Sequence, residues 1–260
     1  MKSNRILSIK SNEEFERICF EIFDYQYHNC KVYHQFCSHL NRSPKNVKTL
    51  KEIPFLPVEF FKIHHVLSSK HLVQKVFTSS GTSNQQTSKH HVTDLELYQK
   101  NAIQIFESQY GAIKEYAILA LLPSYLERDG SSLVYMVNHF IKKSKQVESG
   151  FFLKNHTALY DKLNQLEQKG QKTLLIGVSF GLLDFVEKHK MTLKNTIVME
   201  TGGMKGRRKE MTRDELHKKL SKGFGVKKIH SEYGMTELLS QAYSKGDGIF
   251  ELPSTMKFFI

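Results

Sequence analysis

The chain has 260 residues, of which 40% are hydrophobic and 25% are charged. This length is enough for one large domain with a substantial core, or for two small ones, and the composition is that of an ordinary globular protein. No apolar run approaches the roughly 18 residues that a membrane-spanning helix needs, so we expect no membrane span. Residues 1–10 contain no apolar secretory core, which predicts a cytoplasmic protein.

The 38 Lys and Arg residues outnumber the 26 Asp and Glu residues, so the formal net charge is +12. The basic residues are scattered along the chain and form only short clusters, as at 205–209 and 218–219. This distribution favours an anionic substrate or partner over a nucleic acid. The cysteines, Cys19, Cys30 and Cys37, fit no zinc-binding spacing, and we expect them to be reduced and buried.

Residues 1–62 are expected to form an N-terminal helical segment followed by a lead-in that contains prolines. Ser11 and Glu14 have the spacing of a capping box, and apolar residues follow at helical intervals. Residues 41–62 are predicted to be loop-like because Pro54 and Pro57 stand too close together for a regular helix.

From residue 63 to residue 260 we expect an α/β core that forms one domain together with the N-terminal segment. Strands are predicted at 72–75, 116–122, 147–153, 173–178, 196–199 and 226–229. Helices are predicted at 93–109, 131–141, 157–168, 182–188 and 213–220, and residues 83–91 are predicted to be polar and flexible. This alternation predicts a mainly parallel sheet covered by helices on both faces.

Three segments rich in small and polar residues follow predicted strands. The first spans residues 76–83 and contains Ser-Ser-Gly-Thr at residues 79–82, whose N–H and O–H groups suit a phosphate cradle; an ordinary polar turn has the same composition. The second is Glu-Thr-Gly-Gly-Met-Lys at 200–205, and the third is Glu-Tyr-Gly-Met-Thr-Glu at 232–237. Because ligands of parallel sheets bind at the carboxyl ends of strands, we expect one shared site.

In this order the three segments resemble the AMP-forming acyl-activating enzymes of the ANL superfamily. Within that superfamily the chain is most similar to the acyl-protein synthetase (LuxE) family, on the Thr-Gly-Gly-Met-Lys step at 201–205 and the lead-in at 53–62. The resemblance runs over nearly the whole chain. It implies the large N-terminal domain of an adenylating enzyme, with ATP and Mg²⁺ as cofactors.

The resemblance also implies residue roles. Ser79, Ser80, Gly81 and Thr82 would donate hydrogen bonds to the β- and γ-phosphates of ATP. Gly202 and Gly203 would form a wall of the nucleotide pocket, although a tight turn would use the same residues. Lys205 would point towards the phosphates unless it belongs to a solvated face. Residues 123–125 are candidates for the acyl pocket.

In the third segment the implied roles concern the base, the α-phosphate and the metal. Tyr233 would lie on adenine with Gly234 leaving room beside the ring, Thr236 would hold the α-phosphate, and Glu237 would bind Mg²⁺, which prefers hard oxygen ligands. The alternatives are a core aromatic at Tyr233 and, at Glu237, a charge that complements a helix N-terminus. His90, at the end of the polar segment, is interpreted as a surface or packed histidine.

The chain departs from the superfamily pattern at two places. No Gly follows Thr82, and the Lys of the phosphate loop is delayed to Lys89. After Phe250 the sequence shows neither the Asp that holds ribose nor the small C-terminal lid domain with its Lys. The acyl-accepting Cys that LuxE-like proteins place towards the C-terminus is also missing, because every cysteine precedes residue 40. We therefore expect a large domain without its lid, and acyl-AMP formation near background.

The resemblance implies ATP-dependent activation of a carboxylate, in particular a fatty one, to acyl-AMP, with transfer to a protein thiol as in long-chain-fatty-acid–luciferin-component ligases. An acyl-accepting protein or a reductase would be the partner. Two alternatives stay open: a coenzyme A ligase of the phenylacetate type, and a catalytically incomplete subunit that binds a nucleotide or an acyl group.

Overall fold

A computed structural model describes residues 4–68, 70–79, 86–122, 130–204 and 206–259. In these ranges no helix has both the length and the apolar character required to cross a membrane.

The described elements alternate between helices and strands through most of the chain. The helices are α1 (Asn4–Leu7), α2 (Asn12–Asn29), α3 (Lys31–His39), α4 (Phe60–Ile63), α5 (Leu95–Tyr110), α6 (Ser132–Ser144), α7 (His156–Gln168), α8 (Ser179–Lys188) and α9 (Arg213–Phe224). The strands are β1 (Lys75–Thr78), β2 (Lys89–Val92), β3 (Ala117–Leu121), β4 (Gly150–Phe151), β5 (Thr173–Val178), β6 (Thr196–Thr201), β7 (His230–Gly234), β8 (Gln241–Ser244) and β9 (Phe250–Glu251).

Seven of these strands form one sheet in the order β4-β3-β5-β6-β7-β8-β9, while β1 and β2 pair separately. The first five strands of the large sheet are parallel, and β8 and β9 are antiparallel to their neighbours. All side chains of β3 and β5 are buried. Because successive side chains of a strand point to opposite faces, both faces of the sheet centre are covered. The predicted mainly parallel sheet flanked by helices is confirmed.

Side chains cap the helices that pack on this sheet. The Asp94 carboxylate accepts a hydrogen bond from the N–H of Leu97 at the start of α5, and the Ser131 hydroxyl accepts one from Val134 at the start of α6. Thr212 and Glu215 form a reciprocal capping box at the start of α9. These bonds satisfy N–H groups that have no partner within a helix, so the helix starts are set locally.

Several element boundaries differ from the sequence prediction. Strand β1 lies at Lys75–Thr78 instead of 72–75, because the fully buried Phe77 anchors it in the core. The segment predicted to be flexible before Val92 contains strand β2, which is antiparallel to β1 and is anchored by the buried Val92. Strand β7 covers the polar run from His230 to Gly234 instead of 226–229.

The N-terminal segment has hydrophobic clusters of its own. One is built around the buried residues Phe23, Cys30, Tyr33, Cys37 and Val47, and another around Ile9, Phe15 and Ile18. Cys30 and Cys37 are buried free thiols, and Cys19 is a partly buried one. The domain boundary predicted after residue 62 falls within α4.

Candidate functional site

The carboxyl end of β6 carries two buried polar residues that the sequence prediction had left outside the strand. Glu200 pairs in register with Gly177 of β5 and Ser231 of β7, and Thr201 pairs with Glu232 of β7. The strand therefore runs two residues beyond the predicted end at Met199. It ends at Thr201, and the next residue, Gly202, has a φ of 71°, the left-handed conformation that glycine adopts without strain.

Groups from two neighbouring helices surround the Glu200 carboxylate. The Ser179 hydroxyl, at the start of α8, lies 3.2 Å from Glu200 Oε2 and 2.9 Å from the carbonyl oxygen of Gly202. From α9, His217 Nε2 lies 3.5 Å and Arg213 Nε lies 3.8 Å from Glu200 Oε1. A buried carboxylate needs such partners, so this network fixes the turn after β6 against two helices. Sequence reasoning missed it, although Ser179 directly follows a buried strand.

A second buried carboxylate, Glu232 of β7, lies beside this turn. The Thr201 hydroxyl donates a 2.5 Å hydrogen bond to Glu232 Oε2. Burial raises the pKa of Glu232 to about 7, and the nearby Glu200 carboxylate acts in the same direction. A Cβ atom at Gly234 would lie only 2.6 Å from Glu232 Oε1. The glycine of the Tyr-Gly-Met-Thr-Glu segment thus leaves room for this carboxylate.

Tyr233, the predicted adenine-stacking residue, is half-buried near the end of β7. Its ring makes edge contacts with Phe250 at 6.2 Å and Phe258 at 5.8 Å between centroids, and its hydroxyl lies 3.3 Å from the sulfur of Met235. Tyr233 is therefore one ring of an aromatic group at the sheet edge. Offset and edge contacts of this kind orient a ring, and a base could stack on it.

Thr236 and Glu237 follow β7 in a turn and are half-buried. The N–H of Leu238 donates to the carbonyl oxygen of Met235 at 3.1 Å, which closes this turn. Glu237 does not begin a helix, so the alternative interpretation of its charge as a complement to a helix N-terminus is wrong. The reason is that β7 continues through a tight turn into the antiparallel strand β8.

The phosphate-loop segment leaves the small sheet at Ser79. The Ser79 hydroxyl accepts a 2.9 Å hydrogen bond from the N–H of Ser88, and the N–H of Ser79 donates to the carbonyl oxygen of Ser88 at 3.2 Å. These two bonds join Ser79 to Ser88, the residues at which the phosphate-loop segment leaves and re-enters the small sheet. The other predicted phosphate ligands, Ser80, Gly81 and Thr82, lie outside the described residues, as do Lys205 and residues 123–125.

His90 of β2 links the hairpin formed by β1 and β2 to the turn after β7. Its Nδ1 lies 2.9 Å from the carbonyl oxygen of Thr236, 146 residues further along the chain. Because a carbonyl oxygen only accepts, Nδ1 carries the proton in this bond. Burial lowers the pKa of His90, which favours the neutral imidazole, and the ring packs edge-on against Phe61 at 5.7 Å. His90 was interpreted from sequence as a surface or packed histidine; its contact with Thr236 had no sequence signal.

The structure therefore brings the described parts of the three segments to one region. Gly202 and the turn at Thr236 adjoin because β6 and β7 are parallel neighbours, and Ser79 belongs to the hairpin that His90 joins to that turn. Gly203 lies next to Gly202 in the exposed turn after β6. Hydroxyl, N–H, aromatic and carboxylate groups at one edge can bind an anionic ligand that has an aromatic base.

Among the described residues no group of three or more His, Cys, Asp or Glu side chains is placed to hold a metal ion. A single carboxylate such as that of Glu237 nevertheless fits Mg²⁺, because this ion usually keeps several waters and binds through one or two carboxylates plus substrate phosphates. The donor set thus fits a nucleotide-bound Mg²⁺ better than a metal cage made by the protein alone.

Comparison with known proteins gives a family match over part of the chain and a shared fold. Residues 7–108 match the family described as "Acyl-protein synthetase, LuxE". A search of curated proteins finds no match. Solved structures with the same fold include 2-hydroxyisobutyryl-CoA ligase in an open conformation in complex with 2-HIB-AMP and CoA, with a TM-score of 0.59 and 10% identity over 87% of this chain and 50% of that one.

The same ligase in the thioesterification state, with 2-HIB-AMP and CoA, matches with a TM-score of 0.60 and 10% identity over 91% of this chain and 53% of that one. In the postadenylation state with R3-HIB-AMP it matches with a TM-score of 0.59 and 10% identity over 90% and 51%. The chain spans about half the length of these structures. Residues 7–108 thus match the acyl-protein synthetase (LuxE) family that the sequence pattern predicted, and the chain shares the α/β fold of the solved 2-hydroxyisobutyryl-CoA ligase.

Proposed function

We propose that this chain supplies the adenylate-binding site of an AMP-forming acyl ligase, which activates a carboxylate with ATP and passes the acyl group to a protein thiol. The observation that carries the proposal is the hydrogen bond from His90 to the carbonyl of Thr236. It ties the hairpin of the phosphate-loop segment to the turn with Thr236 and Glu237, and the family match of residues 7–108 gives that juxtaposition its chemical meaning.

In the first reaction a carboxylate oxygen of the substrate attacks the α-phosphorus of ATP. The bond from that phosphorus to the bridging oxygen of the β-phosphate breaks, and pyrophosphate leaves with the electron pair. Negative charge accumulates on phosphate oxygens, so donors that are fixed before the reaction lower the barrier. We assign the α-phosphate to the Thr236 hydroxyl, and the β- and γ-phosphates to Ser79 and the adjoining Ser80, Gly81 and Thr82.

The remaining roles concern the base and the metal. Tyr233 would stack on adenine, and the turn at Gly202 and Gly203 would border the nucleotide. Glu237 would hold Mg²⁺, which neutralises charge on the phosphate oxygens when it is bound. The Glu200 and Glu232 networks would keep the two turns in place without touching the reacting atoms.

In the second reaction a thiolate attacks the acyl carbon of acyl-AMP, the bond from that carbon to the phosphate oxygen breaks, and AMP leaves. The LuxE match supports a protein thiol, and an acyl-accepting protein or a reductase would then be the partner. Coenzyme A is the second candidate acceptor, because structures that share the fold contain CoA.

The proposal is tested by calorimetric titration of the full chain with a sulfamoyl adenosine analogue of acyl-AMP, together with carboxylate-dependent exchange of labelled pyrophosphate into ATP. We expect the analogue to bind, and Thr236→Val to weaken it about 10-fold or more, since a hydrogen bond to a charged group contributes about 1.5–3 kcal/mol. The Thr236 carbonyl still accepts from His90 in this variant. Thr255→Val is the matched control, and its affinity should equal that of the wild type.

The outcomes separate the candidate functions. Binding together with exchange supports the ligase, and supplying a protein thiol or CoA then identifies the acceptor. Binding without exchange supports the incomplete subunit. A folded protein that does not bind the analogue at all would contradict the proposal.

A further inference from the structure

The carboxylate of Glu232 has a hydrogen-bond partner at one of its two oxygens. The Thr201 hydroxyl donates to Oε2 at 2.5 Å, and within the described residues Oε1 receives no hydrogen bond. Glu232 is only 8% exposed, so more than nine-tenths of it is removed from water. A buried carboxylate oxygen without a partner is costly, because it has lost its hydration and gained no hydrogen bond in exchange. A donor that reached Oε1 from outside the chain would remove this cost.

Gly234 leaves open the space in front of this oxygen. A Cβ atom at Gly234 would lie 2.6 Å from Glu232 Oε1 and 3.7 Å from its Cδ, and no other described atom outside residues 233–235 lies within 4 Å of that position. Gly234 is exposed, whereas Glu232, two residues earlier, is buried. A nitrogen or oxygen atom that enters this space from solvent would therefore reach Oε1 at about 2.7–3.2 Å, the length of an ordinary hydrogen bond.

The titratable groups around Glu232 do not supply a cation. The Glu200 carboxylate of β6 is acidic, and together with burial it raises the pKa of Glu232 to about 7. Tyr98 of α5 and Tyr243 of β8 lie within electrostatic range of the carboxylate, and burial raises the pKa of both phenols, so they are neutral. A hydroxyl or amino group of a ligand would therefore meet no positively charged competitor among these neighbours.

The open space lies close to the proposed phosphate ligand. Gly234 precedes Thr236, to which we assign the α-phosphate, by two residues, so their Cα atoms are at most about 7 Å apart. In acyl-AMP one oxygen joins the carboxyl carbon to that phosphate, so a group at Oε1 of Glu232 would be only a few bonds from the carboxyl carbon. Tyr233 points to the opposite face of β7, because successive side chains of a strand alternate. A base stacked on Tyr233 would leave the space at Gly234 free.

We propose that Glu232 is a specificity-determining residue, which binds a hydroxyl or amino group that the carboxylate substrate carries close to its carboxyl group. The substrate's group donates to Oε1 while Thr201 continues to hold Oε2. The inference rests on the proposed function and deepens it: the substrate is a hydroxy acid or an amino acid, in place of the unsubstituted fatty acid that the sequence resemblance implies. Glu232 selects this substrate without touching the reacting atoms.

The test is a calorimetric comparison of acyl sulfamoyl adenosines that differ in one group. The first set consists of the propanoyl, hydroxyacetyl and aminoacetyl analogues, in which a methyl, hydroxyl or amino group is attached to C2. The second set, butanoyl, 3-hydroxypropanoyl and 3-aminopropanoyl, carries the same groups on C3. In at least one set a donor analogue should bind about 10-fold or more tightly than its methyl counterpart, as expected for a hydrogen bond to a charged group.

The pattern of affinities identifies the substrate class or rejects the inference. Tightest binding of a hydroxyl analogue assigns a hydroxy acid, and tightest binding of an amino analogue assigns an amino acid. If every donor analogue binds no more tightly than its methyl counterpart, the inference is overturned. The proposed function then stays intact, because the propanoyl and butanoyl analogues still report the adenylate site. If no analogue binds, the proposed function fails and this inference fails with it.

Variants locate the donor. Glu232→Leu removes the acceptor, and Gly234→Ala fills the open space with a methyl group, so in both the ratio of donor to methyl affinity should fall to about 1. Gly150→Ala is the matched control: Gly150 lies in the edge strand β4, with β3, β5 and β6 between it and β7, and a Cβ atom there has nothing within 4 Å. Its ratio should equal that of the wild type.

The ratio separates recognition from stability, because a general loss of structure weakens both ligands of a pair alike. A wild-type ratio in Glu232→Leu or in Gly234→Ala would refute the assignment. If one of these variants does not fold, the other variant and the comparison in the wild-type chain decide.

Discussion

Adding one methyl group at Gly234 should perturb the carboxylate that supports the turn after β7. A Cβ atom there would lie 2.6 Å from Glu232 Oε1, and the other oxygen of this carboxylate is held at 2.5 Å by the Thr201 hydroxyl. The carboxylate must therefore move, and its buried surroundings oppose the movement. At Gly203 a Cβ atom would have nothing within 4 Å, and its φ is not positive, so Gly203→Ala is the matched control.

The structure sets the size of the effect. Gly234 itself is exposed, but its new methyl group would crowd the carboxylate of the buried Glu232. Crowding a buried group costs about 1–3 kcal/mol, and weakening the Thr201 hydrogen bond adds up to about 1.5 kcal/mol. We expect Gly234→Ala to lower the free energy of unfolding by about 2 kcal/mol. At about 2–4 °C per kcal/mol for domains of this size, Tm should fall by about 4–8 °C. Gly203→Ala should stay within about 0.5 kcal/mol of the wild type.

Urea denaturation of the full chain measures these differences. Glu232→Ala removes the oxygen that blocks the new methyl group, so the variant with both Gly234→Ala and Glu232→Ala should be less destabilised than the sum of the two single variants. Such coupling of about 1 kcal/mol or more is typical of residues in contact. Equal stabilities of Gly234→Ala and Gly203→Ala, or strict additivity with Glu232→Ala, would refute the steric reasoning.

Three further predictions concern the same edge of the sheet. Burial raises the pKa of Glu232 from 4.5 to about 7. The free energy of unfolding of the wild type should therefore fall relative to that of Glu232→Gln as pH rises from about 4.5 to 7, by up to about 3 kcal/mol in urea denaturation. A difference between the two proteins that does not change with pH would contradict this. Glu237→Gln should weaken Mg²⁺-dependent ATP binding about 10-fold in calorimetry with unchanged Tm, since no helix begins there; a lower Tm with an unchanged Mg²⁺ response contradicts it. His90→Phe should weaken analogue binding about fivefold through loss of the bond to Thr236, and His90→Asn, which keeps a donor, should retain most of the affinity; equal losses would exclude a role for that bond.

Local sequence patterns were sufficient to predict the α/β architecture. The run at 173–178 is apolar and was predicted as a buried strand, and β5 has those bounds because a central parallel strand is buried on both faces. The motif residues Gly202 and Tyr233 were predicted at a strand end for a related reason: ligand-binding turns follow the carboxyl ends of strands, and small or polar residues directly after an apolar run mark them.

The tertiary structure alone decided which polar residues are buried and with what they pair. His90 lies in strand β2 and Glu232 in strand β7, although period-2 patterns assign such side chains to solvent or to loops. Both residues can lie in strands because other elements supply hydrogen-bond partners for their side chains. The bond from His90 to Thr236 joins residues 146 positions apart. Periodicity reports burial of apolar surface within one element, whereas a buried polar group is stable only through a partner that the fold brings from elsewhere.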